Sequence, residues 1–81
     1  MSRTTDFSGR DLVKVLREFG YAYVGRTGSH VRMRDVTDDG EVRNVSIPMK
    51  DRIPDGTLRN IADQCGANDF DAFCEWVDAN R

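Results

Sequence analysis

From His30 to Val36 the chain reads His-Val-Arg-Met-Arg-Asp-Val, an alternating run held between the turn signals Gly28-Ser29 and Asp39-Gly40. In an extended strand successive side chains point to opposite faces. Val31 and Met33 therefore share one face, and His30, Arg32 and Arg34 share the other. One side can pack on a core. The other offers an imidazole and two guanidiniums to solvent, a surface suited to a phosphodiester.

The flanking segments complete a sheet and its cover. Ser8 is a good helix N-cap, and Asp11 three residues later can close a capping box. Leu12, Val15, Leu16 and Phe19 recur at helical spacing and Gly20 stops the run, which predicts a helix over 9–19. Residues 1–7 read as a flexible tail, with Phe7 as a hydrophobic staple, and residues 8–81 as one domain. Tyr21 to Arg26 reads as a first strand, Ser29 to Val36 as a second and Glu41 to Ile47 as a third. Pro48 ends the third, because proline has no N–H to give a ladder. Residues 49–54 form a loop carrying Lys50 and Arg52. Asp55 is the expected cap of a second helix with the stripe Leu58, Ile61, Ala62 and Cys65, closed by Gly66. Asn68 is the expected cap of a third, with the stripe Phe70, Phe73, Cys74 and Val77. Trp76 falls just off that stripe, either covering the end of the core or facing a partner. The order is α-β-β-β-α-α. The economical α+β arrangement is a three-stranded antiparallel sheet with helices on one face and the other face open.

Composition narrows the function classes. At 81 residues there is room for one small domain with a thin core. No apolar run approaches the ~20 residues that span a bilayer. The first residues lack the apolar stretch of a signal peptide, so a cytoplasmic protein without membrane partners is expected. Two cysteines and one distant histidine do not make a zinc site, and no carboxylate cluster has metal-ligand spacing. No metal and no cofactor are expected. The net charge of −2 argues against bulk attraction to nucleic acid, but it is unevenly spread. Residues 1–54 carry ten basic and eight acidic side chains, and residues 55–81 carry two and six. Any nucleic-acid face therefore belongs to the first two thirds. Ten arginines against two lysines, with eleven aspartates, suggest a salt-adapted host. Salt screens phosphate contacts, so binding there leans on bidentate arginine geometry.

Each candidate site residue has a plain reading beside its functional one. A lone histidine is commonly an ordinary surface side chain. His30, however, follows Gly28-Ser29, where backbone N–H groups can approach an anion, and it shares a face with Arg32 and Arg34. A histidine in that setting can take the proton of a ribose 2′-OH while guanidiniums stabilise phosphorane charge. Arg32 and Arg34 are otherwise a solvated sheet face. Lys50 and Arg52 precede a helix N-terminus that suits phosphate, although Asp51 and Asp55 share the segment. Tyr21 and Tyr23 either stack on bases or pack. The cysteines Cys65 and Cys74 read as buried free thiols.

Three segments together resemble the HicA-type toxins of toxin–antitoxin systems. They are Ser8-Gly9-Arg10-Asp11-Leu12 running on to Phe19-Gly20-Tyr21; Gly28-Ser29-His30; and Ile47-Pro48 followed by Gly56-Thr57-Leu58-Arg59-Asn60-Ile61. The resemblance covers roughly residues 8–74. It implies a fold like the double-stranded-RNA-binding domain, a ribonuclease that cleaves messenger RNA and halts translation, and neutralisation by a HicB-type antitoxin. It also implies that His30 is the catalytic residue. The position two residues after the strand-ending proline is often a second histidine in the family; here it is Lys50, a side chain suited to holding a phosphate. The resulting expectation is a metal-independent endoribonuclease with Gly28, Ser29, Arg32, Arg34, Lys50 and Arg52 around the phosphate. The rival reading is a non-catalytic RNA-binding module of the same shape.

Overall fold

The computed structural model describes residues 5–81. The element order is α1 (Gly9–Glu18), β1 (Ala22–Thr27), β2 (His30–Val36), β3 (Val42–Pro48), α2 (Asp55–Gln64) and α3 (Phe70–Asn80). The strands form one antiparallel sheet in the order β1-β2-β3. The α+β architecture and the helix-strand order match the sequence expectation.

The alternation in β2 sorts as strand geometry requires. Val31 and Met33 are buried, and so are their β3 partners Ile47 and Val45, while His30, Arg32 and Arg34 are exposed. The buried face carries the core together with Leu12, Val15 and Leu16 of α1, Leu58 and Ile61 of α2, and Phe73, Cys74 and Val77 of α3. Among the described residues no helix covers the opposite face, where His30, Arg32 and Arg34 are exposed. In β1 the register shifts between Tyr23 and Gly25, a bulge that leaves Val24 half-exposed at the sheet edge. The β3 edge is partly closed: Gln64 of α2 accepts a hydrogen bond from the Ser46 N–H at 3.0 Å.

Both α1 and α2 end in the same way. Gly20 has φ 102°, its N–H reaches the Arg17 carbonyl, and the Tyr21 N–H reaches Leu16. Gly66 has φ 77°, its N–H reaches Asp63, and the Ala67 N–H reaches Ala62. These are Schellman stops, in which the left-handed glycine's own amide and the next one satisfy orphan helix carbonyls. The first stop delivers Tyr21 into the core.

Several expectations change. Phe7, placed by sequence in the tail, is fully buried; its carbonyl accepts the Ile53 N–H at 2.8 Å and the Arg81 guanidinium stacks on its ring at 4.7 Å. Residues 1–4 of that stretch lie outside the described residues. Asp55 does not cap α2. The cap position is Pro54, which has no side-chain acceptor to offer. Asp69, not Asn68, caps α3, accepting the Ala72 N–H at 3.1 Å. Phe19 sits past the end of α1, half-exposed, with its ring edge-on to Trp76 at 4.8 Å. Trp76 also touches Phe73 and closes that end of the core.

Candidate active site

The two-residue turn before β2 sets the position of His30. Gly28 has φ 60° and Ser29 is not left-handed, the pattern of a type II′ hairpin turn. Thr27 and His30 face each other across it. Glycine at 28 is thus explained by the turn alone. Ser29 belongs to the turn and not to the second strand, and its carbonyl accepts the Met49 N–H at 2.7 Å. That bond ties the turn to the chain leaving β3.

His30 is exposed on the open face and pairs with Pro48, the last residue of β3. Arg32 lies two residues along, between Gly25 and Ser46 on the neighbouring strands. Two strand residues cover about 6.6 Å, so the imidazole and the Arg32 guanidinium can reach one phosphodiester. Arg34 is a further step away. Its Nε donates to Asn44 Oδ1 at 3.1 Å, which holds the guanidinium against the sheet. Neither of the two arginines nor the histidine of this row forms an ion pair among the described residues. The row is two cations without ion-pair partners among the described residues, and one imidazole, on an exposed face.

The loop cations divide. Lys50 follows Pro48 by two residues and stays near the His30 end of the sheet. Arg52 lies beyond the bend and its Nε is 4.0 Å from Asp6, so part of its charge is already met. Tyr21 cannot stack on a base because it is only 8% exposed; burial and a hydrogen bond with Cys65 push its hydroxyl above the usual phenol range. Burial likewise pushes the Cys65 thiol up, which makes it a packing residue rather than a nucleophile. Tyr23 remains exposed at the β1 edge.

Two basic residues that sequence reasoning did not single out lie at the same end. Arg10 is the second residue of α1 and Arg26 stands near the end of β1. Arg26 was visible as a cation two residues before the turn glycine. Nothing local marks Arg10, which arrives there only because α1 docks on the exit of β3. Among the described residues no three His, Cys, Asp or Glu side chains gather as metal ligands would.

With the geometry in place, a comparison with protein families decides the lineage. The model of the family described as HicA toxin of bacterial toxin-antitoxin matches residues 9–67. The chain belongs to the HicA toxin family. The match spans α1, the whole sheet and α2, and so includes His30 and its row; α3 lies outside it. No curated protein and no solved structure gives a match. Membership in the HicA family makes the chain a toxin of a toxin–antitoxin pair and implies an antitoxin partner. Among the described residues no helix is long and apolar enough to cross a membrane.

Proposed function

We propose that the protein is an endoribonuclease that cleaves messenger RNA in the cytoplasm, inhibits translation and is silenced by a HicB-type antitoxin. The observation that carries this reading is the placement of His30, exposed beside Arg32 on the uncovered face of the sheet, in a chain of the HicA family. His30 accepts the proton of a substrate 2′-OH. The O2′–P bond forms, the P–O5′ bond breaks, and the 5′-oxygen leaves with a proton from water. The products are a 2′,3′-cyclic phosphate and a 5′-hydroxyl. Arg32 stabilises charge on the phosphorane, with Arg34 and Lys50 holding flanking phosphates. The nucleophile belongs to the substrate, so DNA is spared and no metal is called on.

The antitoxin needs to do only one thing, which is to cover the His30 row or lie near enough to block RNA. The decisive experiment compares wild type with His30→Gln on a labelled RNA in excess chelator. Cleavage should disappear in the variant while RNA affinity stays close to that of the wild type, since glutamine keeps a hydrogen bond and removes the titratable proton. Full activity in His30→Gln, or a strict need for a divalent ion, overturns the His30 mechanism, and a wild type that binds RNA without cleaving it is a binding module. Antitoxin that binds without displacing RNA would overturn the occlusion.

A further inference from the structure

Around the corner from His30, on the helix side of the same sheet end, lies a cleft of about 450 Å³ lined by Ser8, Arg10, Arg26, Met49, Lys50 and Asp51. Three cations face one carboxylate there, and none of Arg10, Arg26 and Lys50 has an ion-pair partner among the described residues. The cleft is assembled from three separate segments and locked by backbone bonds. The Gly9 N–H reaches the Lys50 carbonyl at 2.9 Å, and the Met49 N–H reaches Ser29 at 2.7 Å. A Cβ on Gly9 would come within 2.8 Å of Met49 Cα, so the start of α1 is pressed against the exit of β3. Arg26 Nε donates to the Gly28 carbonyl at 2.9 Å, which fixes the guanidinium beside the turn and leaves both terminal nitrogens free for an anion. Two of the first amides of α1, those of Gly9 and Asp11, are already spent on Lys50 and on the Ser8 hydroxyl, so side chains carry most of what the cleft offers an anion.

The cleft and His30 are neighbours by register. Arg26 precedes Thr27, the partner of His30 on one side; Met49 and Lys50 follow Pro48, its partner on the other. They lie on opposite faces, however. Arg26 pairs with the inward-facing Val31, whereas His30 points outward. A polyanion that touches both must turn over the Gly28-Ser29 hairpin.

We propose that this cleft binds the substrate phosphate adjacent to the one at His30, and that the substrate is therefore single-stranded RNA bent over the end of the sheet. A duplex cannot make that turn; double-stranded DNA bends smoothly only over a length of about 50 nm, far more than one sheet end. A single strand bends freely. Arg26 and Arg10 are the binding residues added to the site, with Lys50 at the cleft's border with the open face. The assignment rests on the endoribonuclease reading for its substrate, but its test does not depend on cleavage.

The test measures binding of a 12-nucleotide unstructured RNA, and of the same sequence as a duplex, to His30→Ala and to His30→Ala carrying Arg10→Gln and Arg26→Gln. Affinity is followed by anisotropy across a salt series. The single strand should bind the triple variant about tenfold more weakly, with a salt slope reduced by about 0.7 for each cation removed. Duplex binding should not distinguish the two proteins. Equal affinity and slope for the single strand, or an equal loss on the duplex, overturns the proposal. Arg10→Gln alone, which leaves the turn contact of Arg26 intact, should show about half the slope change and guards against a turn that simply rearranges. The slope change between the two variants, with a wild type that binds RNA yet never cleaves it, would remove the nuclease and leave the cleft standing. No RNA binding by any form would remove both.

Discussion

The two faces of β2 are made by the same seven residues and obey different rules. On the inner face Val31 and Met33 are pressed between the other strands and the helices, and almost nothing of them reaches water. On the outer face His30, Arg32 and Arg34 touch mainly solvent and one another's neighbours across the sheet. Burial makes the inner positions sensitive to volume, since interiors are packed like crystals. Exposure makes the outer positions nearly free of folding constraints, so what stands there is available for chemistry. An imidazole and two arginines without carboxylate partners among the described residues gain little for stability at such a site. On the proposed reading their placement serves RNA, and substitutions should separate cleanly into those that unfold and those that silence.

The comparison breaks most visibly at His30. In His30→Ala the cleavage rate should fall by about 10²–10⁴-fold. The melting temperature should barely move, because surface changes stay within about 0.5 kcal/mol. A variant that loses activity together with several kilocalories of stability would put His30 inside the folding network and erase the contrast between faces.

Met33→Ala is the mirror experiment. Removing a fully buried side chain should cost about 2–5 kcal/mol, read from urea or thermal unfolding. A domain of this size holds roughly 5–15 kcal/mol in all, so the variant should be much less stable while the fraction that remains folded binds RNA as before.

Ser8→Ala tests the frame that carries the His30 end. The Ser8 hydroxyl accepts the Asp11 N–H at 3.1 Å and Asp11 accepts the Ser8 N–H at 3.0 Å, a complete capping box. Its loss should cost about 1 kcal/mol, which is about 4–8 °C in a domain of 60–100 residues.

A smaller effect should appear in acid. Burial pushes the Asp11 carboxyl up, but the Ser8 amide and the Arg81 guanidinium outweigh it and hold the group below its ordinary 3.8. A carboxyl lowered in the folded state stabilises fully above its unfolded value, and that contribution fades as pH falls through the folded one. The acid limb of a stability profile should therefore be shallower in Asp11→Asn below about pH 4. Arg32→Gln is the gentlest probe: stability unchanged, and a salt slope for single-stranded RNA smaller by about 0.7.

Much of this architecture was legible in the residues because the signals are short-ranged. The period of two in β2 placed Val31 and Met33 inside and His30 outside. Glycines at 20, 28, 40 and 66 marked turns, and each has the positive φ that such turns need. Apolar spacing located all three helices. Tertiary contact decided the rest, because it depends on segments far apart in the chain. Phe7 looked like tail until Ile53 and Arg81, 46 and 74 residues later, closed over it. Asp55 looked like a cap, but it stands one position too late, within the helix, and Pro54 precedes it. Tyr21 looked available to a base until the stop of α1 turned it inward. The cleft of Arg10, Arg26 and Lys50 has no counterpart in any local pattern, since it exists only where α1, the first hairpin and the exit of β3 meet. By itself the sequence determined which residues alternate, turn and stripe, because sterics and periodicity act within a few residues. Only the folded chain decided which charges meet, because that follows from how the faces pack together.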